Sequence, residues 1–134
     1  MKKIYILFIV LFFSQNVLLK AQTQTDLNMV ASAELKKAEA EMSLVFNKIL
    51  KIYSEDKVFI TNLKKSQQAW LEFRSIELQV MFPEREPGYY GSVHSMCLSN
   101  YLVQLTNERT KKLTTWIIGT VEGDVCSGTL KWDN

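Results

Sequence analysis

Proline and glycine are confined to two short stretches of this chain. Pro83, Pro87, Gly88 and Gly91 fall in the middle, and Gly119, Gly123 and Gly128 near the end. These residues interrupt helices, proline by removing a backbone donor and glycine by its entropy cost. The segments between them are free to be long helices. In the first, Ala31, Leu35, Ala38, Met42, Val45, Ile49 and Ile52 recur at alternating steps of four and three. That is an apolar seam along a helix from about Asp26 to Tyr53. Glu34, Lys37, Glu41 and Lys48 fall off the seam, toward water, and Thr23 with Asp26 reads as a capping box at its start.

The second segment runs from about Glu55 to Phe82, where Pro83 stops it. Phe59, Leu63, Trp70, Phe73 and Val80 lie on one side, broadened by Ile60, Leu71 and Leu78. The third runs from about Ser92 to Ile118, is closed by Gly119, and carries a stripe of Leu98, Tyr101, Leu102, Leu105, Leu113 and Trp116. Strand-like alternation never persists for more than a few residues. The expected fold is all-α: three helices of about 25 residues, roughly 35–40 Å each, in an antiparallel bundle with an irregular tail from residue 119.

Ahead of the first helix, Met1-Lys2-Lys3 precedes ten consecutive apolar residues, Ile4 to Phe13, and a small-residue end at Ala21. This is the pattern of an export signal, with an apolar run too short for a comfortable membrane span. The expected organisation is a signal over residues 1–21 and one domain over 22–134, with a core over about 25–118 and a tail over 119–134. An uncleaved anchor is the other reading of the same pattern. Cleavage after Ala21 removes Lys2, Lys3 and Lys20 and no acid. The chain's net charge of +2 then becomes −1, with 13 basic against 14 acidic side chains. The sequence pI of about 8.5 therefore describes the precursor. It gives no support to nucleic-acid or anionic-membrane binding, which need clustered Lys and Arg on the finished protein. No cysteine follows the apolar run, so a lipid-modified N-terminus is not expected.

Export to an oxidising compartment makes Cys97 and Cys126 candidates for one disulfide. Such a bridge would close a loop of about 30 residues and contribute on the order of 3–4 kcal/mol. It would tether the tail to the element carrying Cys97. Two free thiols, or a bridge between chains, are the alternatives.

Enzymatic chemistry finds little to work with. His94 is the only imidazole, and a pairing with Ser92 or Ser95 lacks the strand–turn–helix context of a nucleophile elbow. One histidine and two cysteines do not make a zinc site, and no phosphate loop, dinucleotide fingerprint or haem motif is present. Two of the 14 acids could converge as a glycosidase pair, but nothing specific points to it. No cofactor, no metal and no catalytic residue is expected.

The informative stretch is Leu63 to Leu113, which reads LKKSQQAWLEFRSIEL, then PEREPGYYGSVHSMCL, then YLVQLTNERTKKL. It resembles the LprI-like lysozyme inhibitor N-terminal domain, a family of small exported helical proteins. The first family motif is carried by Leu63, Lys64, Gln67, Trp70, Phe73 and Arg74, the loop by Tyr90-Gly91-Ser92, and the following cysteine by Cys97. The last motif is carried by Leu105, Thr106, Arg109, Thr110 and Leu113. The preceding KKAEAEMSLVFNKIL is similar to the family's first helix, so the resemblance spans about Thr25 to Leu113. Two of the family's cysteines are missing, with Leu78 and Val30 near their places. Cys126 is then the only partner left for Cys97.

Within these motifs Trp70 and Phe73 read as core aromatics. Arg74 and Arg109 read as structural guanidinia, each bonding a carboxylate such as Glu77 or Glu108, a helix end or the loop backbone, with ligand contact as the alternative. Gln67 reads as satisfying loop backbone. The loop from Pro83 to Ser95 is the expected binding element, because rigid scaffolds present binding residues on loops. The resemblance implies a protein partner, a lysozyme whose cleft carries two catalytic carboxylates. Tyr89 and Tyr90 would pack on sugar subsites, Ser92 and His94 would approach the acids, and Glu84 and Glu86 would complement a cationic surface. Tyr89 and Tyr90 could equally cover the end of the bundle. The rival reading is an envelope adaptor that binds a partner through a helical face.

Overall fold

The computed structural model describes residues 2–132, with side chains described from Thr23 onward. The expected export signal lies outside the described side chains. Three helices follow in order: α1 (Lys2–Ile52), α2 (Lys57–Met81) and α3 (His94–Ile118). Among the described residues no strand forms, and Thr120 with Trp132 makes one isolated parallel bridge. The fold is all-helical.

Hydrogen bonds between helices fix their directions. Asn28, midway along α1, donates to the Ser92 carbonyl just before α3, while Lys131, beyond the end of α3, reaches Ile52 and Tyr53 at the end of α1. The helices α1 and α3 therefore run parallel, and α2 runs antiparallel to both. The two parallel helices pack closely because the buried side chains between them are small: Ala31 and Ala38 on α1, Ser99, Thr106 and Thr110 on α3. Against this pair α2 stands off, and long side chains fill the gap.

The seam on α1 is found where its spacing put it, with Ala31, Ala38, Met42 and Ile49 buried. The expected capping box does not start this helix, because backbone helix is continuous through Thr23 and Asp26. The short turn after Ile52 is closed by Asp56, whose carboxylate accepts from the Phe59 amide at 2.8 Å and caps α2. At the other end Phe82 is the last residue before Pro83, which cannot continue the helix.

The apolar core sits at the α1–α2 turn end, where Met42, Ile49, Tyr53, Phe59, Leu63 and Leu113 are buried with Trp70 and Trp116 packed against them. Toward the loop end the interior of α2 turns polar, through Gln67, Arg74 and Glu77. Phe73 and Val80, expected on the packed side, are 51% and 71% exposed. Past Trp70, Phe73, Ile76 and Val80 lie on the flank of α2, while Arg74 and Glu77 turn inward beside the half-buried Leu78 to meet groups on α1 and α3.

Cys97 and Cys126 are both free thiols, which corrects the expected disulfide. Cys97 sits in the first turn of α3, whereas the tail carrying Cys126 folds back beside its last turn. About 20 residues of helix, roughly 30 Å, separate those two places, and a disulfide needs Cα atoms within about 7 Å. The tail is tethered instead by Lys131, whose Nζ donates to the Ile52 carbonyl at 2.7 Å and whose amide donates to the Tyr53 hydroxyl.

Candidate functional site

The segment between α2 and α3 is a built loop. Tight turns return the chain on itself, with Tyr89 N donating to Glu86 O and Gly91 N to Gly88 O, both at 3.0 Å. Gly88 and Gly91 adopt φ values of 85° and 69°, a region that side chains with a Cβ rarely enter. An aromatic frame fills the inside. Tyr90 stacks on His94 with centroids 4.3 Å apart and 8° between ring planes, and Phe82 meets Tyr90, His94 and Tyr101 edge-on. The Tyr90 hydroxyl donates to the Pro83 carbonyl at 2.7 Å, pinning the start of the loop to its middle. His94 Nδ1 is buried without a hydrogen-bond partner.

Tyr89 lies outside this frame, 68% exposed, its ring edge-on to Tyr90 and covered on one side by the Arg85 guanidinium. Glu84, Glu86 and Ser92 are also exposed. An open depression of about 270 Å³ separates the outward groups from the frame, lined by Phe82, Glu84, Tyr89, Tyr90 and His94 among others. The six expected contact residues therefore divide. Glu84, Glu86, Tyr89 and Ser92 face solvent, while Tyr90 and His94 hold the loop's shape.

Beneath the loop lies a layer of polar cross-links. Arg74 Nη1 on α2 donates to Glu39 Oε1 on α1 at 2.9 Å and to Thr106 Oγ1 on α3 at 3.0 Å. Arg109 on α3 donates through Nε to Gln67 Oε1 at 2.9 Å and through Nη2 to Ser66 Oγ at 3.1 Å. The Trp70 ring lies between the two guanidinia, 5.3 Å from Arg74 and 5.9 Å from Arg109. Partial burial lowers the Arg109 pKa below its ordinary value, and a guanidinium remains charged regardless. Tyr101 hydrogen-bonds Glu77 at 3.4 Å, and its phenol pKa is raised, first by desolvation and then by the Glu77 charge.

The partners differ from those expected. Arg74 meets Glu39 and Arg109 meets Gln67, where Glu77 and Glu108 had been the candidates, and Gln67 bonds Met42 and Arg109 well away from the loop backbone. Four participants carried no expectation of a role: Phe82, the hub of the aromatic frame; Glu39; Thr106 as an acceptor; and Asn28, which ties α1 to the loop's end. Phe82 had a signal in its place immediately before Pro83. Glu39 had only its position next to the seam residue Ala38.

Among the described residues no helix is long and apolar enough to cross a membrane, and no group of three potential metal ligands forms. No solved structure matches the chain. An uncharacterized protein of Rhizobium meliloti (strain 1021) is 29% identical over 105 residues, covering 70% of this chain and 73% of that relative. The family described as lysozyme inhibitor LprI matches residues 16–113, which takes in the α2–α3 loop and the whole Arg74–Trp70–Arg109 layer. The chain belongs to the lysozyme inhibitor LprI family.

Proposed function

We propose that the protein is an exported, non-enzymatic inhibitor of a lysozyme-type cell-wall hydrolase, acting through the 83–95 loop. Residues 1–21 serve as its signal and leave no lipid anchor. The family is described as one of lysozyme inhibitors, and the loop offers an exposed aromatic on a rigid frame. The observation that carries the reading is the placement of charge. Met42, Gln67 and Arg109 bond in one plane across the three helices. On the loop side of that plane, residues 23–41 and 68–108 hold nine acids against four basic side chains. On the other side, residues 43–66 and 110–132 hold eight basic side chains against four acids. A net charge near zero thus conceals an acidic loop end, which steers encounter with a cationic protein.

In this reading Tyr89 enters the cleft of the hydrolase, Ser92 approaches its acids, and Glu84 and Glu86 meet its cationic rim. Tyr90 and His94 act by holding the loop in shape. The test is residual muramidase activity in the presence of the purified exported protein. Absence of inhibition toward every lysozyme class at micromolar concentration would refute it.

One observation favours the adaptor reading. Phe73, Ile76 and Val80 are 51%, 61% and 71% exposed and share one flank of α2. Pull-downs from envelope extract with a Tyr89→Ala variant and a Phe73→Ser/Val80→Ser variant separate the two. Loss of the partner only in the first supports the loop, and loss only in the second supports the helical face.

A further inference from the structure

The end of the bundle opposite the loop carries four exposed hydrophobic side chains beyond the last residue that matches the family. Ile118, Val121, Val125 and Trp132 are 63%, 74%, 97% and 54% exposed. Ile118 ends α3, and the other three lie on the ordered strap that follows it. Thr120 bridges to Trp132, Val121 O accepts from Asp124 N, and Lys131 fastens the strap to the end of α1. Exposed hydrophobic side chains are ordinary singly, but three on a short strap with Ile118 at its root expose apolar area that costs solubility unless something covers it.

The surroundings say what covers it. This is the basic side of the molecule, with eight basic side chains against Glu55, Asp56, Glu122 and Asp124. Two of those acids are turned onto their own backbone: Asp56 accepts from Phe59 N, and Asp124 accepts from Cys126 N and Thr120 Oγ1. All eight lysines are exposed, and of these Lys57 and Lys131 donate to the Ser54 and Ile52 carbonyls. Exposed aliphatic side chains and a tryptophan at a lysine-rich end of the molecule match the interface of an anionic bilayer, where the apolar groups enter at headgroup depth and the ammonium groups meet phosphate. We propose that the tail end of the bundle is a docking surface for an anionic lipid bilayer, leaving the acidic loop end pointing away from the membrane. The proposal does not depend on what the loop binds.

The test is cosedimentation of the purified exported protein with vesicles of phosphatidylcholine alone and with about 30 mol% phosphatidylglycerol added. The expected result is binding to the anionic vesicles only, weakened by salt. Val121→Ser/Val125→Ser and, separately, Lys48→Glu/Lys51→Glu should each lower it by about tenfold, while Tyr89→Ala leaves it unchanged. These positions are exposed, so the variants keep their helicity, checked by circular dichroism. Failure to bind anionic vesicles overturns the proposal, as does equal binding to neutral ones or binding that the tail variants do not alter. A concentration-dependent dimer that Val121→Ser/Val125→Ser abolishes would also overturn it, by assigning the patch to a second copy of the chain.

Discussion

The rings of Tyr90 and His94 lie face to face at 4.3 Å, so the middle of the α2–α3 loop rests on the first residue of α3. This contact separates two neighbouring tyrosines by role. Tyr90→Phe removes only the hydroxyl bonded to the Pro83 carbonyl. It should cost about 1 kcal/mol of stability in urea unfolding and leave far-ultraviolet dichroism intact. Tyr89→Ala removes an exposed ring and should change stability by no more than about 0.5 kcal/mol. Under the inhibitor reading it weakens inhibition by about tenfold or more, since exposed aromatics anchor such interfaces. Equal stability losses in the two variants would contradict the division of the loop into frame and contact face.

Arg74, like Gln67, hydrogen-bonds to both other helices. Its Nη1 serves Glu39, whose side chain is 40% exposed, and Thr106, which is fully buried. Loss of the guanidinium leaves Glu39 free to hydrate but strands the Thr106 hydroxyl near the gap. Arg74→Met should therefore destabilise by about 2 kcal/mol in urea unfolding, most of it from the α1–α3 side. Glu39→Gln, which keeps an acceptor, should cost less than half as much. An Arg74→Met variant as stable as the parent would remove the structural role.

How far the chain could be read from its letters follows from where apolar spacing and burial agree. On α1 they agree, because the seam from Ala31 to Ile52 faces a helix packed closely along it. On α2 they part after Trp70. The interior there takes Arg74 and Glu77 beside Leu78, whereas a count of hydrophobic residues points to the flank carrying Phe73 and Val80. On α3 the most buried face includes Ser99, Thr106 and Thr110, small hydroxyl residues that no apolar template selects. The site was legible as a loop because prolines and glycines mark it, and its motif residues were legible by resemblance. Which side chains turn inward was not, since Tyr89 and Tyr90 are adjacent and chemically identical. The cysteines misled for a different reason: parity and compartment say nothing about the length of helix lying between two thiols.

The free thiols give a direct measurement. Cys97 is partly buried in α3 and Cys126 is exposed in the tail. In the native protein Cys126 should react with an aromatic disulfide reagent at once and Cys97 more slowly, and two thiols should titrate after denaturation. Addition of reductant should leave the melting temperature unchanged. A drop equivalent to about 3 kcal/mol or more on reduction would mean that a bridge closes after all.

Lys131 bears on how the tail is held. Its ammonium group donates to the Ile52 carbonyl at the C-terminal end of α1 and lies 4.9 Å from the Tyr53 ring centroid. Both contacts are at the surface. Lys131→Met should therefore cost about 0.5–1 kcal/mol, reduced by high salt, with the tail becoming the first segment cut by protease. Unchanged protease resistance would show that the Thr120–Trp132 bridge and the Tyr53 hydroxyl bond suffice without the ammonium group.

Tyr101 makes stability depend on alkaline pH, with a sign that follows from its surroundings. Desolvation and then the Glu77 carboxylate disfavour the phenolate, so the folded-state pKa lies above that of the unfolded chain. Below the unfolded value both states hold the proton and the stability is fully present. As pH rises past it, the unfolded state loses its proton first, binds fewer protons than the folded state, and gains in relative stability. Stability should thus decline through the ordinary tyrosine range and level off above the folded pKa. In urea unfolding measured across alkaline pH, Tyr101→Phe should show a shallower decline than the parent, while acid-side behaviour is the same for both. Parallel alkaline slopes would mean that Tyr101 ionises as freely in the fold as in the unfolded chain, and that its hydrogen bond to Glu77 has no effect on its protonation.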